Sequence, residues 1–378
     1  MSAAQFARSL ACFLLLGLVL ATLLPAAHNV TRPDLSAPSG DSDARVIKID
    51  DEENQSIQEI DTFKIPTANG VVARLNFSPD GKWLLVCDYR AVHLWDLTGE
   101  SPREVSSYKQ GEFHLRDILS AAISPDGSLV ALGGFDKGVH LCAVKEMRLT
   151  EISNEMEHDS AVRALQFSPD GKTLLSGGDD AAVIVWDVRK DKLHRRTMAK
   201  IENAIFGVQG IGFAGNSKNF YVDTAGGDVR EFALGGGEPK QIKAFKEPEQ
   251  FGLPMAVSAD GRQIAFGSLN DVILWNGKDR PPFPKHTAKV NDVAFSPDAK
   301  LIASGGEDGR LIIWDPTGRI KYSTQRPNPF DAVAFRPGRG GPGEFWIAAA
   351  NRNGTVFVMH LRDTAAKQQP AKNQATRT

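Results

Sequence analysis

The sequence predicts an all-β chain: one ring of seven similar antiparallel sheets. Three observations lead there. A short turn phrase recurs seven times, with erosion; apolar residues alternate with a period of two around it; and the composition is rich in turn formers. The 378 residues include 35 Gly and 21 Pro, a content that disfavours long helices. With 42% hydrophobic and 24% charged residues, the chain is globular in composition. Lys and Arg number 44 against 46 Asp and Glu, a formal net charge of −2. That balance lacks the basic excess of a general nucleic-acid binder, so no nucleic-acid partner is expected. The three Cys form no CxxC pair, which excludes a disulfide framework and a zinc finger.

Arg8 precedes an apolar run from Leu10 to Leu24, followed by Pro25, Ala26 and Ala27. A basic residue, an apolar stretch and small residues describe a secretory signal peptide over 1–27. The run is shorter than the roughly 20 residues of a spanning helix. No small-x-small cleavage triplet follows it, so a retained anchor over residues 10–27 is the alternative. Export to a periplasmic or extracellular space is therefore expected, with membrane contact only through this segment if it is uncleaved. Residues 28–58 lack an apolar period and carry Asp41, Asp43, Asp50, Asp51, Glu52 and Glu53, the pattern of a disordered acidic linker. Residues 364–378 are polar, with Lys367, Lys372 and Arg377 and no acid, and read as a disordered tail. The folded domain is then 59–363.

Within it, Phe77-Ser-Pro-Asp-Gly-Lys82 is repeated from Ile123 and Phe167, more weakly from Val257 and Phe295, and in eroded form from Phe213 and Phe335. The anchors are 38 to 46 residues apart, which makes seven units. Before the phrase comes strand alternation such as Val162-Arg-Ala-Leu-Gln-Phe167. Pro, Asp and Gly then form a tight turn: Pro presets φ, Asp bonds the local backbone and Gly accepts the last geometry. A short apolar run follows, then a polar turn, then a strand such as Ala182-Val-Ile-Val-Trp-Asp187, apolar on both faces and hence covered on both.

Leu94-Trp-Asp96, Val185-Trp-Asp187, Leu274-Trp-Asn276 and Ile313-Trp-Asp315 resemble the closing dipeptide of the WD-repeat family. The resemblance covers about 59–363 and implies a single seven-bladed β-propeller of four-stranded antiparallel blades. It also implies a hydrogen-bonded chain within a blade, from a His before the first strand, a Ser on the second, an Asp in the next turn and the Trp on the third. His158, Ser176, Asp180 and Trp186 supply one such set, and His286, Ser304, Asp308 and Trp314 another. The second blade keeps His114 and Asp136 but has Leu132 and Cys142 for Ser and Trp. The first keeps Trp95 but has Ala68 and Tyr89 for His and Asp. After the last third strand only a polar tail remains, so the strand around Gln58–Ile65 is expected to close the last blade and remove an edge. The proline-rich Arg280–Pro284 is expected to be a short outer strand or none.

No catalytic constellation stands out. The eight His show no metal-ligand spacing such as HExxH. His93 and His140 read as members of third strands. Each turn Asp is alone, unlike the clustered oxygens of a calcium loop. Gly338-Arg-Gly-Gly-Pro-Gly343 lacks the GKS/T of a phosphate loop. Cys87 and Cys142 read as core-filling thiols. No cofactor or metal is expected.

What remains is surface. In the family, the loops before the first strand and between the second and third share one face around the central opening. The corresponding residues are Arg116, Asp117 and Phe135, then Asp159, Arg163 and Asp179, then Lys289, Asp292, Glu307 and Arg352. Rigid rings with variable loops are docking platforms. The expected function is a monomeric scaffold that binds a protein or peptide on this channel-mouth face, without catalysis. The alternative is an exported propeller enzyme, lactonase-like or quinoprotein-like, with its site at the channel mouth.

Overall fold

The computed structural model describes residues 56–364 except 67–69, 110–116, 190–191, 203, 205–206, 216, 225, 247–253, 277–281, 339–340 and 342. Seven four-stranded antiparallel sheets form a ring. Blade 1 comprises Val72–Phe77, Trp83–Asp88, Ala91–Asp96 and Arg103–Lys109; blade 2 Ile118–Ile123, Leu129–Gly134, Val139–Lys145 and Arg148–Glu155. Blade 3 comprises Val162–Phe167, Thr173–Gly178, Ala182–Arg189 and Lys192–Lys200; blade 4 Val208–Phe213, Asn219–Thr224, Asp228–Ala233 and Lys240–Lys246. Blade 5 is built from Met255–Val257, Ile264–Ser268, Asp271–Trp275 and Pro282–Pro284; blade 6 from Val290–Phe295, Ile302–Gly306, Arg310–Trp314 and Ile320–Gln325. Blade 7 takes Phe330–Phe335, Glu344–Asn351 and Thr355–Asp363 from the end of the domain and its outer strand, Ile57–Pro66, from the beginning.

That last pairing closes the ring. Ile57 lies opposite Asp363 and Ile65 opposite Val356, and Tyr322 of blade 6 donates its hydroxyl to Glu59 Oε2 at 2.7 Å. The expected closing strand is thus present. The proline-rich outer strand of blade 5 is three residues long.

The repeated phrase folds identically in five blades. Ser78 Oγ donates to Asp80 Oδ1 at 2.7 Å, the same oxygen accepts Lys82 N–H at 3.0 Å, and Ser78 Oγ accepts Trp83 N–H at 3.1 Å. Asp126, Asp170, Asp260 and Asp298 repeat this with Ser124, Ser168, Ser258 and Ser296. These bonds to the charged form hold each of the five carboxyls below its usual range, against burial. The phrase thereby commits its polar groups to the turn that joins the first and second strands.

The apolar interior is divided among seven seams rather than gathered in one core. Between blades 2 and 3, for example, Leu141, Val162, Phe167, Leu174, Ile184 and Trp186 pack together. Burial on both faces explains why the third strands read as continuous apolar runs. Close approach needs small residues on the second strands: a Cβ on Gly133 would lie 2.6 Å from Val162 Cγ1 of the next blade.

Bulges recur at two fixed places. In six inner strands one residue falls out of register near the start, between Val162 and Ala164 in blade 3, for instance. Six outer strands carry another bulge, as between Glu59 and Asp61. The outer bulges interrupt otherwise exposed edges. The inner ones position the candidate site.

Candidate functional site

The inner strands of all seven blades enclose a central channel of about 640 Å³. At its mouth the bulged residues are Ala73, Leu119, Arg163, Gln209, Asn291 and Asp331. A bulge adds a residue without a ladder partner, which re-aims its side chain. Each of these residues stands four positions before the anchor of the turn phrase. Their chemistry differs from blade to blade while the strand that carries them does not.

Two groups form on this rim. In the first, Arg163 Nε donates to Asp179 Oδ1 at 2.5 Å, Gln209 Nε2 donates to the same oxygen at 3.4 Å, and the Arg163 guanidinium lies 5.8 Å from the Phe135 ring centre. The second group joins blades 6 and 7. Arg352 donates through Nη1 and Nη2 to both Glu307 oxygens at 2.8 and 2.6 Å, and through Nη2 to Asp331 Oδ1 at 2.6 Å. Asn291 Nδ2 donates to Asp331 at 3.2 Å. The guanidinium hydrogen bond holds Glu307 below its usual range and keeps Arg352 more firmly protonated. Asp331 is raised, because burial and the Glu307 charge outweigh Arg352.

The remaining sequence-selected residues are dispersed. Asp292 lines the channel wall and accepts Val333 N–H at 2.8 Å and Val293 N–H at 3.0 Å. Burial pushes its carboxyl up to about 6, against the pull of Arg74 and these amides. Asp117 is half-buried with φ of 36°, and Asp159 is exposed beside Lys200 Nζ at 3.7 Å. Lys289 is exposed and meets Glu307 through its carbonyl, which accepts Glu307 N–H at 2.8 Å. Arg116 and His114 lie outside the described residues. Sequence reasoning missed Gln209, Asn291 and Asp331, although their constant offset from the turn phrase was available as a signal.

Behind the rim, the blades are tied in two ways. In blade 3, Ser176 Oγ lies 2.8 Å from His158 Nε2 and accepts Trp186 Nε1–H at 2.8 Å, while His158 Nδ1 lies 3.1 Å from Asp180 Oδ2. Burial raises the Asp180 carboxyl, but His158 and the Asp159 and Ala182 amides outweigh it and bring it to about 2. Blade 6 repeats the arrangement with His286, Ser304, Asp308 and Trp314.

Blades 1, 2 and 4 instead place a cation on the third strand, two residues before the Trp position. His93 lies between Asp88 Oδ2 at 3.3 Å and Glu104 Oε1 at 2.9 Å; His140 lies between Asp136 Oδ2 at 2.5 Å and Glu151 Oε1 at 2.6 Å. Arg230 donates to Asp228 Oδ2 at 3.0 Å and to the Glu202 carbonyl at 2.7 Å. Blades 3 and 6 have Ile184 and Ile312 at this position. His93 and His140 are members of third strands, as expected, and the clamp adds what that reading lacked; its signal was a Glu eleven residues after each. Among the described residues no group of three or more His, Cys, Asp or Glu is arranged to hold a metal ion.

Comparison with known proteins agrees with this architecture. The family model described as WD domain, G-beta repeat matches residues 58–96, 150–187 and 278–315. Protein HIR1 of Yarrowia lipolytica is 25% identical over 65% of this chain and 24% of its own length. WD repeat-containing protein 82 of Drosophila melanogaster is 25% identical over 70% of this chain and 84% of its own. Small ribosomal subunit protein RACK1z of Arabidopsis thaliana is 39% identical over 21% of this chain and 24% of its own. The chain thus spans about a quarter of the length of two of these relatives.

The relatives also correct the expected localisation. A small ribosomal subunit protein belongs to a particle inside the cell, which contradicts export. The apolar run from Leu10 to Leu24, on which export rested, lies outside the described residues, as do the linker through Gln55 and the tail from Ala365. Among the described residues no helix is long and apolar enough to cross a membrane. Cys87 and Cys142 are free, buried thiols, with Cys142 pushed up to about 12 by burial. Seven blades, the shared turn phrase, the His–Ser–Trp chains of blades 3 and 6 and the matched repeats together show a seven-bladed β-propeller that carries WD repeats.

Proposed function

We propose that this propeller is a non-catalytic scaffold that docks a protein or peptide on the rim of its channel mouth. The carrying observation is the set of inner-strand bulges. They deliver a different side chain from six of the seven blades to one face of a rigid ring, while turns and seams stay constant. The relative named as a small ribosomal subunit protein is by that name a component of an assembly, which supports a docking role. The proposed face comprises the Phe135–Arg163–Asp179 and Glu307–Arg352 groups, with Asp117, Asp159, Lys289 and Asp292 beside them; Arg116, the other residue expected on it, lies outside the described residues. The monomer offers this face whole.

The test is partner capture by the full chain carrying Arg163→Glu and Arg352→Glu. Reversal sets a carboxylate against Asp179 in one case and against Glu307 and the largely buried Asp331 in the other, so Arg163→Gln and Arg352→Gln, which remove the charge without that repulsion, are measured beside them. The expected result is loss of the captured partner in both sets of variants, with the fold retained by circular dichroism. Undiminished capture would contradict the reading.

A further inference from the structure

We propose that one sector of this rim, formed by the second-to-third-strand turns of blades 1 and 2, binds an acidic peptide segment that carries an aromatic or aliphatic side chain. The proposal deepens the docking reading and rests on it. The two turns present the same pair of features: Tyr89 followed by Arg90 in blade 1, and Phe135 with Lys137 in blade 2. Tyr89 is 42% exposed and Phe135 48% exposed, so adjacent turns of the rim each present a large ring to solvent. Arg90 and Lys137 are also exposed, and neither has an ion-pair partner among the described residues.

The reason lies in the clamps below. Asp88 is fully buried, with Oδ1 accepting the Arg90 and Ala91 amides at 2.8 and 2.7 Å and Oδ2 facing His93. Asp136 turns inward to His140 in the same way. The carboxylates of these turns are therefore consumed inside the blade, and among the described residues no acid pairs with Arg90 or Lys137 outside it. In blades 3 and 6 an inward acid is present as well, Asp180 or Asp308, but a second acid, Asp179 or Glu307, pairs with Arg163 or Arg352 on the rim. Arg163, paired with Asp179, lies over Phe135 and marks the border of this sector toward blade 3. A ligand complementary to this sector brings carboxylates for Arg90 and Lys137 and an apolar side chain for the two rings.

The experiment is selection of phage-displayed linear dodecapeptides on the full chain, followed by affinity measurement with one synthetic, fluorescein-labelled representative. The expected result is enrichment of Asp and Glu together with an aromatic or aliphatic residue. Kd should then rise at least tenfold in Arg90→Glu/Lys137→Glu and in Phe135→Ala, rise with added salt, and stay within twofold in Lys240→Glu, on the exposed outer strand of blade 4. Selected peptides without acidic enrichment, no selected peptides at all, or binding unaffected by the blade 1 and 2 variants would overturn the proposal. If Arg352→Glu abolishes binding while the other variants leave it intact, this sector is wrong but rim docking stands. If neither set matters and cross-links map outside the rim, both readings fail.

Discussion

His140 Nε2 lies 2.5 Å from Asp136 Oδ2 within a blade where the ring's other nitrogen meets Glu151 at 2.6 Å. A neutral imidazole donates through only one nitrogen, so facing two carboxylates requires the imidazolium. His93 repeats this between Asp88 and Glu104. Blades 1 and 2 have thus replaced a neutral hydrogen-bond chain with a buried ionic clamp.

Stability should therefore depend on pH through these two residues. Burial pushes both imidazoles down, but the paired carboxylates outweigh it and leave both raised. A raised folded value means that folding favours the protonated form. The contribution is complete below the ordinary imidazole value of about 6.5 and is lost as pH rises through the raised value. Urea midpoints measured from about pH 6 to about pH 9 should fall, and His93→Gln/His140→Gln should flatten that fall while losing about 2–3 kcal/mol at the acid end. An unchanged slope in the double variant would contradict the assignment.

The turn phrase makes a second prediction. The residue after its Asp is Gly81, Gly127, Gly171 or Gly261, with φ between 67° and 73°, but in blade 6 it is Ala299 at φ 56°. The left-handed conformation strains an L side chain, whereas Gly adopts it freely. Ala299→Gly should raise stability by about 0.5–1 kcal/mol, after allowing for the extra freedom of Gly in the unfolded chain. Differential scanning calorimetry reads the sign directly, and a lower midpoint would be the contrary result.

A third concerns the seam between blades 4 and 5. Asp223 is fully buried there, and neither carboxyl oxygen reaches a hydrogen-bond donor among the described residues. Burial pushes it well above the usual carboxylate range and Asp228 adds to this, against a small pull from the Thr224 amide. Blades 2, 3, 5 and 6 have Gly133, Gly177, Gly267 and Gly305 at this place, and blade 7 has Ala350. The acid with a raised folded value costs stability increasingly as pH climbs above its unfolded value of about 3.9. Asp223→Ala should therefore stabilise the protein near neutral pH by about 1–3 kcal/mol, with the gain shrinking toward pH 4. Destabilisation at neutral pH would show that Asp223 has a partner it needs.

The blades were legible in the sequence because their cause is local. Ser78 and Asp80 satisfy each other and the adjacent amides within five residues, so the turn writes itself into a short phrase. Trp186 and Trp314 announce the third strand for a similar reason: each is fixed by a partner on the neighbouring strand, Ser176 or Ser304. The rim was less legible. Arg163 and Asp179 could be placed on one face, but Asp331 joins Arg352 and Glu307 only because a bulge turns it there. The clamps were hidden because His93 and Glu104 lie eleven residues apart on paired strands, where alternation alone gives no sign of a charge pair. The apolar run from Leu10 to Leu24 misdirects localisation because it says nothing about the ring it precedes.

The central claim is that the channel-mouth rim, and no other face, meets the partner. A photo-reactive amino acid placed at Phe135 on the rim or at Ile242 on the outer edge of blade 4, both exposed, tests it directly. Irradiation of the full chain in its own cells should give a covalent partner adduct from position 135 and none from position 242. Adducts from 242 with none from 135 would contradict the account.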